Sequence, residues 1–456
     1  MKIPRILFAG TASGCGKTTA VCTVLRLLQR RAADIRAYKC GPDYIDPMFH
    51  RDVSGIPTTN LDPFFCNKEQ LCHLLCQNAG ASIHVIEGVM GYYDGTGKTG
   101  TDNSTFSVAD KTETPVVLVV DGEGAAASLL ATIEGFSNFV PNSRICGVLF
   151  NRMRAGTYQI LCRLMHERFG ESIVPVGYIP IFDEAYRLPS RHLGLVTSRE
   201  IADLQQRMDA LADMCAETID TERIIALADS AAQIENRPVA VPRFAPIHLA
   251  YAYDAAFCFY YHDTLSLFEK MGAVLLPFSP LKNEPIPAEA DGLLLGGGYP
   301  ELYARRLAEN RDSAESVCTA IKSGMPAIAE CGGFQYLGKA LDAQPMCGVL
   351  EHESTAAGKL VRFGYVTLTA RKGGVFGEAG TRLKGHEFHY WDSTQNGADF
   401  VAENLRGAQY PAAVTTETLY AGFPHLYLYA CIPAAESFYR KCLEYQKMRN
   451  SSVGAE

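Results

Sequence analysis

At 456 residues, the chain has room for two or more domains, each with its own hydrophobic core. A hydrophobic fraction of 47%, a charged fraction of 20% and a net charge of −8 are ordinary for globular protein and argue against a general nucleic-acid surface. No apolar run approaches membrane-spanning length, no signal peptide is readable before the first glycine loop, and the fifteen cysteines include no Cys-x-x-Cys pair, so a reduced, cytoplasmic protein without zinc or disulfides is expected.

The first predicted strand, Ile6 to Ala9, runs into Gly10-Thr11-Ala12-Ser13-Gly14-Cys15-Gly16-Lys17-Thr18-Thr19, and an apolar-periodic helix follows to Arg31. Strand, glycine loop and helix form the setting of a phosphate-binding loop. Backbone N–H groups around Gly14, Cys15 and Gly16 surround the phosphates, and the helix N-terminus adds its dipole. Lys17 is placed to reach the β/γ-phosphates and the Thr18 hydroxyl to ligate Mg²⁺, with Thr19 beside them in the nucleotide site. Thr11 stands at the first-glycine position of the usual pattern, with Gly10 one residue earlier. The expected ligand is ATP or GTP.

Further strands are expected at 36–39, 83–86, 115–120, 145–150 and 176–179, and the runs around 118 and 148 are apolar without alternation, as in strands covered on both faces. Repeated strand–helix units predict a parallel, doubly wound sheet with its ligands at the carboxyl ends of the strands. Asp43 and Asp46 follow the second strand, and Glu87 and then Asp94 follow the third. Asp46 and Glu87 read as carboxylates that hold or relay to Mg²⁺, and all four are candidates to enter the triphosphate cleft. Asp43 and Asp94 also read as turn residues beside proline or glycine. Asn151 ends its strand where it can read an adenine edge or cap the strand.

A helical stretch at 201–232 and a proline-rich linker at 236–246 close this first domain, expected at 1–235. A second alternating series, at 247–253, 273–277, 292–295 and 327–329, opens a domain expected at 247–447, with an unordered tail at 448–456. The predicted fold class is therefore α/β, with two doubly wound domains. In the second, Ala327-Ile328-Ala329-Glu330-Cys331-Gly332-Gly333-Phe334 is strand, cysteine, paired glycines and helix. That is the geometry of a nucleophile elbow, in which a sharp turn exposes a side chain at a helix N-terminus. Leu293 to Gly298 is a strand ending in glycines that can offer N–H groups to an oxyanion, and His386, His389 and His425 are the candidate bases.

These residues carry a specific resemblance. Cys331-Gly332-Gly333-Phe334-Gln335 resembles the class I, or triad, glutamine amidotransferases, in which the cysteine attacks the glutamine side-chain amide and releases ammonia. The front half resembles the dethiobiotin-synthetase-like ATPases, which share the displaced first glycine. The two halves in this order resemble the cobyrinate a,c-diamide synthases of cobalamin biosynthesis. Gly41-Pro42-Asp43-Tyr44, Glu87-Gly88-Val89-Met90-Gly91, the 189–195 string Pro-Ser-Arg-His-Leu-Gly-Leu, Gly296 to Tyr303, Arg362-Phe363-Gly364-Tyr365 and Gly385 to Tyr390 extend the likeness.

The resemblance implies Cys331 as nucleophile, His425 as its base, and Gly298 and Gly332 as oxyanion N–H donors. Most triad enzymes carry a glutamate two residues after the histidine, where Tyr427 stands here; the cobyrinate branch also lacks it, which leaves His425 without its usual orienting carboxylate. That branch usually has a second histidine at this position and Ser-Tyr where Gly422-Phe423 stand. The resemblance further implies that ATP converts a substrate carboxylate into an acyl phosphate, with Asp43, Tyr44, Asp46 and Asp94 holding that carboxylate or its metal. The implied partners are small molecules (ATP, glutamine and a corrinoid or related tetrapyrrole), with no nucleic acid and no membrane, and a homodimer is compatible with it. Nickel-sirohydrochlorin and hydrogenobyrinate diamide synthases share these motifs. A P-loop switch ATPase is the reading from another class; it usually carries lysine at the position of Ala12 and has no need of the Cys331 elbow.

Overall fold

The computed structural model describes residues 1–96, 100–183, 190–191, 194–195, 201 and 203–453, in two units, one from Met1 to Val239 and one from Ala240 onward. The boundary falls within a stretch, 231–246, that carries neither helix nor strand. Among the described residues no helix is long and apolar enough to cross a membrane. All fifteen cysteines are free.

The first unit runs β1 (Arg5–Gly10), α1 (Lys17–Arg30), β2 (Ile35–Cys40), α2 (Ile45–Ser54), β3 (Thr58–Leu61), α3 (Lys68–Cys76), β4 (Ile83–Glu87), α4 (Thr105–Lys111), β5 (Val116–Asp121), α5 (Ser128–Asn138), β6 (Ile145–Met153), α6 (Ala155–Phe169) and β7 (Val174–Pro180). After the two-residue pair β8 (Ser190–Arg191) and β9 (Gly194–Leu195), it closes with α7 (Leu204–Cys215) and α8 (Thr221–Asp229). Strands β1 to β7 form one parallel sheet in the order β3-β2-β4-β1-β5-β6-β7. The apolar residues of β1, β4 and β5 are almost wholly buried, because helices cover both faces. Since β4 pairs on one side of β1 and β5 on the other, the loop after β1 opens beside the carboxyl ends of both neighbours.

Two expectations change here. β3 is added to the sheet edge; it is only four residues, Thr-Thr-Asn-Leu, too short and polar to stand out from periodicity. The single helical stretch at 201–232 is two helices, α7 and α8, broken at 216–220. Pro189, His192 and Leu193 of the 189–195 string lie outside the described residues.

The second unit contains β10 (Ile247–Ala252), α9 (His262–Met271), β11 (Ala273–Phe278), β12 (Gly292–Leu295), α10 (Ala304–Glu309), α11 (Arg311–Lys322), β13 (Ala327–Glu330) and α12 (Gly332–Leu337). The sheet order is β11-β10-β12-β13, then the parallel strand Leu419–Gly422 and the antiparallel Val414–Thr415. A separate antiparallel sheet of five strands places His425–Leu426 beside Arg382–His389, which pairs Arg362–Ala370. The final helix, Ile432–Val453, runs past residue 447, so 448–453 are helical and not the unordered tail that was expected. Their apolar content is low, and the helix continues there from the well-packed turns around Phe438 and Tyr439.

One buried charge ties the first unit together. Arg5, fully buried on β1, donates to the carbonyls of Ile3, Thr112 and Ala232 at 2.8–2.9 Å and to Thr114 Oγ1 at 3.1 Å. Burial pushes its pKa down to about 10, an effect that nearby acidic groups only partly offset. Arg5→Met is expected to destabilise the unit by about 3 kcal/mol or more, because it strands several buried carbonyls at once. Denaturant unfolding of the variant checks this, and an unchanged midpoint would refute it.

Candidate active site

The glycine loop is held by its neighbours. Gly16 takes φ 92°, in the left-handed region, at the cap of α1; a Cβ there would fall 2.0 Å from Asn151 Nδ2. Asn151 uses that nitrogen to donate to the carbonyl of Cys15 at 3.0 Å. Asn151, expected to read an adenine edge or cap its strand, thus braces the loop backbone with its nitrogen, while its Oδ1 is buried without a protein partner. Lys17 is buried and donates to the Ala12 carbonyl at 3.0 Å; burial is the main cause of its lowered pKa, with Lys39 acting in the same direction. Thr18 and Thr19 lie in the first turn of α1, and Thr18 Oγ1 donates to Glu87 Oε1 at 2.7 Å.

Strand register assembles the rest of this centre. Lys39 on β2 lies opposite Glu87 on β4, which in turn pairs Phe8 on β1. The Lys39 ammonium is 2.5 Å from Asp46 Oδ2, 3.0 Å from Glu87 Oε1 and 3.9 Å from Asp43 Oδ2. His50 Nε2 on α2 is 2.5 Å from Glu87 Oε2, and both residues are fully buried. Burial alone would raise the pKa of Glu87, but Lys39, His50 and the Thr18 hydroxyl outweigh it and hold the carboxyl well below its usual range. Asp46 goes the other way: burial, then the charge of Asp43, push it well up against the pull of Lys39. Lys39 is raised despite its burial, because Asp46, Glu87 and Asp43 surround it.

Asp43 and Asp94 turn out to hold turns. Asp43 Oδ1 accepts from the N–H groups of Ile45 and Asp46 at the start of α2, while its Oδ2 faces Lys39. Tyr44 sits at the cap of that helix. Asp94 is exposed, and its Oδ2 accepts from the Gly91 N–H at 2.9 Å, closing its own turn. The structure therefore brings Thr18, Asp46 and Glu87 together and leaves Asp94 in the loop after them. Lys39 and His50 were missed; the available signal was a lysine inside the strand Ile35–Cys40, two residues before the acidic turn.

In the second unit, Cys331 takes φ 48° and ψ −101° between β13 and α12. Such a backbone costs a non-glycine residue about 1–3 kcal/mol and persists only where the surroundings enforce it. Here the Cys331 N–H donates to the Gly422 carbonyl at 2.8 Å, and its own carbonyl accepts from Gln335. The same strand, Leu419–Gly422, then leads within three residues to His425, which is buried and hydrogen-bonded to Cys331. His425 Nδ1 is 3.8 Å from Glu330 Oε2, and Glu330 Oε1 accepts from the Leu426 N–H at 3.0 Å. Burial works against the imidazolium, yet Cys331 and then Glu330 push the His425 pKa up to about 10.

Gly298 and Gly332, expected as oxyanion donors, lie close together. Gly298 has φ 154°, and a Cβ there would fall 2.1 Å from the Ala256 carbonyl oxygen. Its amide nitrogen lies 3.3 Å from where a Cβ on Gly332 would sit, so the two backbones converge beside Cys331. The two other candidate histidines are packed elsewhere on the neighbouring strand. His386 lies opposite His425 in register, and burial followed by the charge of His425 lowers its pKa to about 3. His389 stacks on Phe423 with ring centres 3.9 Å apart, and burial lowers its pKa to about 4. Tyr427, in place of the usual glutamate, donates its hydroxyl to Asp263 Oδ2 at 2.8 Å. Glu330, quoted in the elbow strand without a role, is the residue that sequence reasoning missed here.

Both halves match known families. The CobQ/CobB/MinD/ParA nucleotide binding domain matches residues 6–196, and the CobB/CobQ-like glutamine amidotransferase domain matches residues 248–428. A cobyrinate a,c-diamide synthase of Listeria monocytogenes is 40% identical over 395 residues, covering 85% of this chain and 86% of that one. Those of Caldanaerobacter subterraneus and Thermoplasma volcanium are 36% and 34% identical over 445 and 470 residues, covering 96% and 99% of this chain and 98% and 100% of theirs. With similarity of this extent running through both units in the same order, the chain belongs to the cobyrinate a,c-diamide synthase family.

Proposed function

We infer that this chain uses ATP and glutamine to convert the a- and c-acetate carboxylates of cobyrinate into amides, in cobalamin biosynthesis. The observation that carries the reading is the presence, in one chain with full-length relatives of that name, of an ATP-binding loop and a Cys331–His425 centre on separate units. A carboxylate does not accept ammonia directly, because oxide would have to leave. Phosphorylation by ATP turns that oxygen into part of a phosphate leaving group.

At the glutamine centre, Cys331 Sγ attacks the side-chain amide carbon, and the N–H groups of Gly298 and Gly332 receive the developing oxyanion. The His425 imidazolium, which carries the proton given up by the thiol, passes it to the departing ammonia; water then hydrolyses the thioester to glutamate. At the nucleotide centre, Gly14, Cys15, Gly16 and Thr19 line the phosphates, and Lys17 counters their charge. Asn151 Oδ1 is free to accept from a nucleotide, while its nitrogen braces the loop. Asp43 and Tyr44 are proposed to meet the substrate carboxylate, and Asp94 to set the loop beside it.

The residues present fit Mg²⁺. Asp43, Asp46 and Glu87 crowd carboxyl oxygens around Lys39, and Thr18 Oγ1 already lies 2.7 Å from Glu87. Among the described residues no three His, Cys, Asp or Glu side chains form a ready ion cage, so the remaining ligands would be phosphate and water, as Mg²⁺ prefers. Thr18, Glu87 and Asp46 would hold the ion, directly or through water, and it would neutralise charge on the transferring phosphate.

Three outcomes test this reading. Cys331→Ala is expected to abolish glutamine-dependent amidation while leaving synthesis from ammonium salts; equal loss with both nitrogen donors in a folded variant would refute it. Because His425 keeps its proton up to about pH 10, glutamine hydrolysis should decline on the alkaline side near that value and not near the ordinary imidazole range. Imidazolium is the form that protonates departing ammonia, and it is lost only as pH rises through the folded-state pKa. A steady-state pH profile of glutaminase activity checks this. Finally, cobyrinate labelled with ¹⁸O in its acetate carboxylates should yield one labelled oxygen per phosphate released, together with ADP, read by mass spectrometry. Unlabelled phosphate alongside normal diamide formation would exclude the acyl phosphate.

A further inference from the structure

Attack by Cys331 leaves a proton on His425, and an imidazolium buried this deeply needs a carboxylate to orient and offset it. The position two residues beyond the histidine, used in most triad enzymes, holds Tyr427, whose hydroxyl is committed to Asp263. We propose that Glu330, the residue immediately before the nucleophile, is the positioning carboxylate of this centre, replacing the glutamate that Tyr427 displaces. The inference rests on the reading of Cys331 and His425 as the glutaminase pair.

Three observations carry it. Glu330 Oε2 lies 3.8 Å from His425 Nδ1, while Oε1 accepts from the N–H of Leu426, the next residue along, at 3.0 Å. One side chain thus hydrogen-bonds the backbone next to the imidazole and sets its second carboxylate oxygen in ion-pair range of the ring nitrogen. Second, the competing carboxylate is engaged elsewhere: Glu387, on the strand facing His425, accepts from the Tyr410 hydroxyl and feels Arg362. Other titratable groups that act on His425 or lie beside it include Cys331, His386 and His389, and neither histidine supplies negative charge. Third, Glu330 lines a small pocket with Tyr261, Leu294, Ile328 and Leu428, whose exposed lining is mostly apolar, so its carboxylate and His425 sit in partly apolar surroundings that strengthen their attraction relative to open water.

The chain order gives this arrangement a mechanical consequence. Glu330 and Cys331 are consecutive residues at the end of β13, so the strand end that aims the nucleophile also aims its base. No proton passes to Glu330: the thiol proton goes to His425 and then to ammonia, and the carboxylate stays as it is.

Glu330→Gln separates charge from shape, because its amide oxygen can still accept from Leu426. In full-length protein, glutamine hydrolysis by E330Q is expected to lose roughly 10²-fold or more in kcat, with little change in KM. Its alkaline limb should move below the wild-type value near 10. Ammonium-driven synthesis, which bypasses this centre, reports that the variant is folded. An E330Q enzyme with wild-type kcat and alkaline limb, or one altered in KM alone, would overturn the proposal. Where E330Q loses ammonium-driven synthesis as well, E330D decides: with the charge kept and the reach shortened, it should lower kcat and retain the alkaline limb. Wild-type kcat in E330D would then overturn the proposal. Failure of the wild-type enzyme to hydrolyse glutamine would instead sink the underlying reading.

Discussion

An ammonium buried at Lys39 organises the first unit's site. A lone charge there would be prohibitive, and the protein offsets it with Glu87 from the adjacent strand and with Asp46 and Asp43 from the turn and helix that follow. The balance overshoots. With three carboxyl groups around one lysine, Glu87 is driven to stay ionised and Asp46 is driven towards its protonated form. Two carboxyls pushed in opposite directions thus share one buried lysine beside the phosphate loop.

Parallel strands make this possible, because every strand end falls on the same edge of the sheet. Thr18, Lys39 and Glu87 come from segments far apart in the chain, yet register on β1, β2 and β4 sets them side by side. The second unit uses the same edge differently. β12 and β13 end in adjacent turns, so Gly298 and Gly332 converge beside Cys331. The strand Leu419–Gly422 both pins the strained elbow through Gly422 and delivers His425 three residues later. Strain at Cys331 and placement of its base therefore have one structural cause.

The two units divide a difficult reaction at its natural seam. Ammonia release needs a nucleophile, a proton carrier and oxyanion donors; carboxylate activation needs phosphate handling and charge neutralisation. The residues proposed for ammonia release lie at one sheet edge of the second unit, and those proposed for carboxylate activation at one sheet edge of the first.

The sequence by itself determined whatever depends on short range. The glycine loop, the strand-end Glu87, the Cys331 elbow and the fold class were legible because a few consecutive residues impose them: glycines at left-handed positions, apolar runs covered on both faces, a cysteine between strand and helix. Only tertiary structure decided the rest, because it depends on register and packing between distant segments. Lys39 stands out in sequence only as a lysine inside a strand, and it and His50 acquire meaning through Glu87 on another strand. Asp94 carries the same residue type as Asp46 but spends its carboxylate on its own turn. Asn151 turns inward to hold Cys15. His386, His389 and His425 are equivalent by residue type; the family resemblance points to His425, and the strand Leu419–Gly422, which pairs with the elbow strand, delivers it beside Cys331. Glu330 could not be chosen from sequence, since a carboxylate's partner is set by which side chains lie within a few ångströms of it, and the chain reaches His425 only 95 residues later, by folding back onto the same strand end.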